Sequence, residues 1–265
     1  MGNLDTLRGV LAGYERVVVA FSGGADSAFL AWVALDTLGA DRVLAATAVS
    51  PSLAQLERDD CRALATEWQL PWIEVHTEEM TNAAYRVNDG DRCFHCKDAL
   101  MDTLEPVAAR ERAVVVLGVN VDDLGDHRPG QRAAGQRGAR FPLVEAGFTK
   151  AAVREASRTL DLRTWDKPAA ACLASRLPYG TPVSVETLAS VEAAEAGLRR
   201  LGFTDLRVRH YRDTARVEVP LERLADIVTL RAAVVDAVKA AGYRYVTLDL
   251  DGLRSGNLND ALRIR

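Results

Sequence analysis

An unbroken, mostly β-branched run, Arg16-Val17-Val18-Val19-Ala20-Phe21, breaks into Ser22-Gly23-Gly24 and passes at once into a helical stretch from Asp26 to about Leu38. A strand that feeds a helix through glycines is the first half of a crossover, and crossovers join parallel strands. The alternation then recurs as strand 42–49, helix 52–68, strand 72–76, helix 94–110, strand 114–120 and an amphipathic stretch at 149–160. Near-continuous apolar strands between helices predict an α/β fold with a parallel sheet covered on both faces. A short amphipathic helix at 3–14, with Leu4, Leu7, Val10, Leu11 and Tyr14 at helical spacing, precedes the first strand.

The texture changes after Trp165. Leu177-Pro178-Tyr179-Gly180-Thr181-Pro182 concentrates two prolines and a glycine where neither helix nor central strand persists, which places a domain boundary there, with a large domain at 1–182 and a small one at 183–265. Beyond it a helix at 184–201, strands at 205–211 and 214–219, a helix at 224–241 and a strand at 244–250 read as an α+β unit. The 33 Lys and Arg against 37 Asp and Glu give a net charge of −4 without a basic, aromatic-interleaved stripe, which counts against a nucleic-acid partner. No apolar run approaches the roughly 18 residues that span a bilayer, so no membrane partner and a cytoplasmic location are expected.

The turn Ser22-Gly23-Gly24-Ala25-Asp26-Ser27 falls at the carboxyl edge of the sheet, where open α/β folds bind ligands. Glycines let successive N–H groups turn inward and the helix N-terminus adds partial positive charge, so the turn is an anion cradle, with Ser22 and Ser27 adding hydroxyls. Asp26 either caps the helix or holds Mg2+ between phosphates. Neither G-x-x-x-x-G-K-[ST] nor G-x-G-x-x-G is present, which removes the two commonest phosphate loops.

Three further clusters carry chemistry. Gly118 through Gly130 includes Asn120, Asp122, Asp123, Asp126 and Arg128, either a metal or adenylate site or a solvated Asx-turn. Asp166 through Gly180 sets Cys172 among alanines near Lys167 and Arg176, whose charges would lower a thiol pKa on close approach; the alternative is a small buried hydrophobe. Cys93 and Cys96 lie about one turn apart at a helix start, whereas Cys61 shares an apolar face with Leu64, Ala65 and Trp68 and reads as core. In the small domain, Arg207, Arg209 and Tyr211 share one strand face.

Ser22 to Ser27 resembles the SGGxDS loop of the PP-loop ATP pyrophosphatases, a Rossmann-like, HUP-type fold. That resemblance implies cleavage of ATP between its α- and β-phosphates, with AMP passing to a substrate oxygen. The segments GxNxDDxxDxRPG, KPAxACLASRxPYG and Tyr245 to Gly256 together resemble the LarE family over nearly the whole chain. LarE proteins are ATP-dependent sulfur transferases that help to make the nickel-pincer nucleotide cofactor, so the substrate implied is a pyridinium dicarboxylate mononucleotide used with ATP and Mg2+.

By the same resemblance Asn120, Asp122 and Asp123 join Ser22, Gly23, Gly24, Asp26 and Ser27 around ATP. Cys172 takes the place of the sulfur-donating cysteine, with Lys167, Arg176 or backbone amides stabilising the oxyanion. Arg207 and Arg209 would bind the substrate phosphate, and Glu195, Glu218 and Asp226 match a carboxylate cluster near the active site. Two sulfur sources stay open: Cys172 sacrificed by β-elimination, or a [4Fe–4S] cluster on Cys93, Cys96 and Cys172 carrying an extra sulfide. A homo-oligomer, a hexamer, is implied by similarity alone. Competing readings are a tRNA-thiolating or amide-forming PP-loop enzyme, and an adenine-nucleotide sensor that binds without cleaving.

Overall fold

A computed structural model describes residues 3–124, 129–168 and 171–254. In chain order the elements are α1 (Leu4–Ala12), β1 (Val17–Ala20), α2 (Ala25–Leu38), β2 (Val43–Val49), α3 (Gln55–Glu67), β3 (Trp72–His76), α4 (Ala83–Val87), α5 (Arg92–Glu111), β4 (Val114–Leu117), α6 (Pro129–Gln136), α7 (Pro142–Glu145) and α8 (Lys150–Thr159). There follow α9 (Val185–Arg200), β5 (Arg207–Tyr211), β6 (Thr214–Glu218), α10 (Leu224–Thr229), α11 (Arg231–Ala240) and β7 (Tyr245–Leu248). Among the described residues no helix is long and apolar enough to cross a membrane.

Contacts divide the chain into two compact units, 1–81 with 93–170, and 82–92 with 171–265. The division therefore does not fall after residue 182. The proline-rich segment belongs with the small unit, as does a piece of chain inserted between β3 and α5 that composition gave no reason to separate. Both differences have one cause: proline and glycine mark where regular structure stops, not which core the irregular chain packs against.

The first unit is built on a wholly parallel sheet in the order β3-β2-β1-β4, as the alternation predicts. Val17 and Val19 face a core with Leu7, Leu11, Phe29, Leu64 and Phe148, while Val18 faces a second core with Leu100, Leu104, Met101 and Ala134. Because both faces of β1 are covered, Val17, Val18 and Val19 are all 0% exposed, and the strand reads as a continuous apolar run. The strand expected over 114–120 ends at Leu117, where the chain turns out of the sheet and Val121 N–H bonds to the Phe148 carbonyl instead.

In the second unit β5 and β6 form an antiparallel pair, and β7 adds parallel to β6. Helices α9 and α11 cover this sheet with Leu198, Val234 and Val238 against Phe203, Val208 and Val217. The helix expected over 224–241 is two helices broken at Leu230, whose φ of −92° and ψ of 17° lie off the helical values.

Phe29 is fully buried with its ring centroid 5.3 Å from that of Phe148. Phe29→Ala is expected to cost about 3–5 kcal/mol in urea unfolding, through lost transfer energy and the cavity left behind. A cost under about 1 kcal/mol would mean that α2 does not anchor this core.

Candidate active site

The order of the first sheet reverses beside β1. Chain leaving β1 enters α2, chain leaving β4 enters the 118–124 turn, and the two exits lie side by side at a topological switch point. Their closeness is set by glycine. A Cβ on Gly118 would stand 2.8 Å from the Ser27 nitrogen and 2.9 Å from the Asp26 carbonyl carbon, so only a hydrogen fits against the first turn of α2. Gly23 has φ +67°, a left-handed conformation that glycine adopts without cost, and a Cβ there would meet Cys61 Sγ at 2.9 Å.

The loop is braced from within. Ser27 Oγ accepts the Ser22 N–H at 3.2 Å and donates to the Gly24 carbonyl at 3.2 Å; the Ser22 and Ser27 hydroxyl oxygens lie 3.0 Å apart. Beneath it, Thr47 Oγ1 donates to the Phe21 carbonyl at 2.8 Å while accepting Trp72 Nε1 at 2.8 Å. The serine hydroxyls expected as phosphate donors thus brace the loop, beside backbone N–H groups that the first turn of any helix leaves unpaired.

Asp26 opens α2 and accepts a hydrogen bond from Asn120 Nδ2 at 3.3 Å. Burial pushes its carboxyl pKa up; the Asn120 hydrogen bond opposes the shift and the Asp123 charge adds to it. Asn120 and Asp123 lock the turn reciprocally, Asn120 N–H to Asp123 Oδ2 at 3.1 Å and Asp123 N–H to Asn120 Oδ1 at 3.2 Å. Asp122 Oδ2 accepts the Lys150 N–H at 2.8 Å and so caps α8. Of the three residues of this turn expected around ATP, Asn120 reaches the cradle through Asp26, whereas Asp122 and Asp123 shape the turn. Asp126 and Arg128 lie outside the described residues.

Lys167, expected at an oxyanion, has its Nζ donors engaged within the first unit. Its Nζ donates to Asp60 Oδ2 at 2.6 Å, Glu57 Oε2 at 2.8 Å and the Gly23 carbonyl at 3.1 Å, tying α3 to the glycine loop. Burial lowers its pKa, but the hydrogen bonds to Asp60 and Glu57 outweigh burial and leave it raised. Cys61 sits under the same loop, 0% exposed, its thiol pushed by burial up to about 11.

In the second unit Cys172 is exposed and opens a short 3-10 turn over Leu173–Arg176. Arg176 is buried and holds that turn: Nη1 donates to the Ala171 carbonyl at 2.5 Å and the Cys172 carbonyl at 3.2 Å, while Nε reaches Glu195 Oε1 at 2.9 Å. Glu195, 1% exposed, also takes Arg199 at 3.1 Å and the Val208 N–H at 3.1 Å. Arg209 is buried against Glu218 at 3.0 Å and donates to the Ser175 carbonyl at 2.7 Å.

The carboxylates expected to cluster are therefore engaged separately: Glu195 and Glu218 by arginines, and Asp226 by Arg223 at 2.7 Å on the surface. Arg207 is the exception. Its Nη1 donates to the Arg254 carbonyl at 3.1 Å, no ion pair engages it among the described residues, and burial together with the charges of Arg209 and Arg176 pushes its pKa down. Cys93 is exposed and Cys96 half-buried at the start of α5, and neither is in a disulfide. Among the described residues no three His, Cys, Asp or Glu side chains are grouped to hold a metal ion.

The NAD synthase family model matches residues 5–119, the stretch that holds the cradle. The chain is 45% identical to the protein slr1717 of Synechocystis over 98% of its own length and 97% of that protein. It is 39% identical to pyridinium-3,5-bisthiocarboxylic acid mononucleotide synthase of Lactiplantibacillus plantarum, over 97% of this chain and 94% of that one. A third relative, MJ0830 of Methanocaldococcus jannaschii, is 24% identical over 91% of this chain and 92% of that one.

Two outcomes are expected at the cradle. Gly118→Ala should weaken ATP binding about tenfold or more in a chain with unchanged far-UV circular dichroism, and ATP affinity within twofold would show that the two exits need no such closeness. Asp26 has a folded pKa above its unfolded one, so its burial costs stability once pH rises past the ordinary carboxylate range. Asp26→Asn should accordingly raise the apo melting temperature at neutral pH, the gain closing as pH falls through that range, while weakening binding of ATP with Mg2+. A lower melting temperature at neutral pH would contradict burial as the dominant influence.

Proposed function

We propose that this chain, which belongs to the LarE family of ATP-dependent PP-loop sulfur transferases, adenylates a carboxylate of a pyridinium dicarboxylate mononucleotide and exchanges an oxygen for sulfur. The product is a thiocarboxylate on the way to a nickel-pincer nucleotide, made in the cytoplasm. The observation that carries the reading is an exposed thiol, Cys172, on a turn whose carbonyls are fixed by a buried arginine.

The triphosphate lies on the first-turn amides of α2, whose partial charge offsets that of the phosphates. Mg2+ fits here, since Asp26 offers a hard oxygen donor beside an anion cradle with the Asp123 charge near it, and when bound it would neutralise phosphate charge. A substrate carboxylate oxygen attacks the α-phosphorus, the α–β bridging P–O bond breaks and pyrophosphate leaves. Cys172 sulfur then attacks the acyl carbon, its proton passes to solvent, and the acyl C–O bond breaks with its electron pair on AMP. Loss of the Cα proton of residue 172 and cleavage of its Cβ–S bond, electrons passing to sulfur, release the thiocarboxylate and leave dehydroalanine.

Arg176 contributes by orientation. Its charge is balanced by Glu195, and its donors face the Ala171 and Cys172 carbonyls, so it orients the backbone from which the Cys172 side chain springs. Arg207, which no ion pair engages among the described residues, suits the substrate phosphate. Arg209, paired with Glu218 and bonded to the Ser175 carbonyl, supports the turn from the other side. The other sulfur source, a [4Fe–4S] cluster on Cys93, Cys96 and Cys172, differs from this route in the mass of the chain after turnover.

Intact mass after turnover tests the reading. With ATP, Mg2+ and the pyridinium mononucleotide, the chain is expected to lose one hydrogen sulfide equivalent at Cys172 in a single turnover. Cys172→Ala should abolish transfer and spare ATP binding, and Arg207→Ala should raise the KM for the mononucleotide about tenfold or more. Unchanged mass with repeated turnover and a brown protein would replace the sacrificial route by the cluster. ATP binding with no pyrophosphate released would leave a sensor.

A further inference from the structure

Residues 82–92 leave the parallel sheet's own unit and pack with the second one. Asn88 ends α4 in the left-handed region, φ 59° and ψ 50°, a conformation that asparagine tolerates better than most residues, and it is 0% exposed. Burial in that conformation places the side chain among backbone carbonyls, and Asn88 uses it fully. Its Nδ2 donates to the Pro178 carbonyl at 2.9 Å, the Thr181 carbonyl at 2.9 Å and, more weakly, the Leu177 carbonyl at 3.4 Å. Its own carbonyl accepts the Gly180 N–H at 2.9 Å, and that of Arg86 accepts the Val183 N–H at 2.9 Å.

Arg92 completes the grip. Its Nη1 donates to Asn88 Oδ1 at 2.5 Å and to the Ala174 carbonyl at 2.8 Å, with the guanidinium carbon 6.0 Å from the centre of the Tyr179 ring. The carbonyls of 174, 177, 178 and 181 are thus taken by two side chains from about ninety residues earlier, while Arg176 takes those of 171 and 172. The held carbonyls fix the backbone that runs from the exposed Cys172 to the start of α9.

We propose that Asn88 and Arg92 are positioning residues that clamp the 174–181 backbone and so hold Cys172 in its sulfur-donating geometry. The proposal rests on Cys172 being the donor. Both steps at this residue are directional: the sulfur must meet the acyl carbon along the line of attack, and elimination needs the Cα–H bond aligned with the Cβ–S bond. The Cα–H direction is a property of the backbone, so a backbone clamp governs the second step as no side-chain contact to sulfur could. Misplacement by about 1 Å is worth roughly a hundredfold in rate, which makes rigid carbonyl anchoring the relevant quantity.

Asn88→Gly keeps the left-handed backbone and removes the amide; Asn88→Asp keeps the shape and turns an acceptor oxygen, in place of the donor, towards three carbonyls. Arg92→Lys retains one charged donor of the two contacts. For Asn88→Gly and Asn88→Asp, single-turnover sulfur transfer is expected to slow about tenfold or more, with the KM for ATP and the pyrophosphate burst within about twofold. Amide exchange over 174–183 should accelerate while that of β1 and β4 does not, and Arg92→Lys should fall between wild type and Asn88→Asp.

Leu188→Ala, buried in α9 of the same unit, is the stability-matched control and should transfer sulfur at the wild-type rate while folded. Wild-type transfer by a folded Asn88→Gly chain, or an equal slowing in Leu188→Ala, overturns the proposal alone. A wild-type chain that releases no pyrophosphate with the pyridinium mononucleotide overturns the functional reading, and this proposal with it.

Discussion

At Gly118 the chain leaving β4 is pressed backbone to backbone against the first turn of α2, with no room for a single methyl group. A parallel sheet whose order reverses beside β1 brings two chain exits to the same edge, yet exits carrying side chains would stand apart and leave a crevice wider than a phosphate. Glycine at 118 closes that gap, and Asn120, two residues on, then reaches Asp26 at 3.3 Å. The second half of the cradle obeys the same logic from below, where Gly23 rests on Cys61 and its carbonyl is taken by Lys167. Anion binding by backbone amides works only when the loop is rigid before the ligand arrives, since otherwise ordering the loop would consume the binding energy. The serine braces, the Thr47 support and the Lys167 tie supply that rigidity.

Charge follows a similar division. Buried guanidinium groups are costly without partners, and removing one member of such a pair costs roughly 3–5 kcal/mol, so Arg176 and Arg209 are committed to Glu195 and Glu218. Their remaining donors face backbone carbonyls rather than open space. Arg207 has no ion pair among the described residues, and burial together with the like charges of Arg209 and Arg176 disfavours its protonated form. An incoming phosphate would relieve that repulsion, and this distinguishes it from its neighbours, which already have counter-ions.

The strand-glycine-helix opening was legible because each level agreed: a β-branched run, a turn that glycine alone adopts easily, and an apolar helix following. Membership of the sheet, its parallel sense and the burial of Cys61 came from periodicity in the same way. Partners were not legible. Lys167 and Arg176 near Cys172 in sequence suggested charges acting on the thiol, but charge sign says nothing about direction, and the acids that take them, Glu57, Asp60 and Glu195, lie 110, 107 and 19 positions away. Asp122 and Asp123 read equally as ligands or as turn formers, and the turn reading describes their hydrogen bonds. Asn88 and Arg92 gave no signal at all, because a clamp on main-chain carbonyls requires no pattern in the segment it holds.

Two cysteines show how far environment, rather than residue type, assigns the chemistry. Cys61 is sealed beneath the glycine loop with its pKa near 11, so at neutral pH it stays a thiol and serves as the surface on which Gly23 packs. Nucleophilic sulfur needs both a path to the acyl carbon and a thiolate within reach of solvent base, and Cys61 has neither. Cys172 is exposed, yet exposure alone would leave it as indiscriminate as any surface thiol. Its difference lies in the backbone: Arg176 fixes its carbonyl and that of Ala171, with Asn88 and Arg92 fixing those that follow. An accessible sulfur on an immobilised main chain is the combination that the proposed route requires, in which one residue would both attack an acyl group and surrender its own Cβ–S bond.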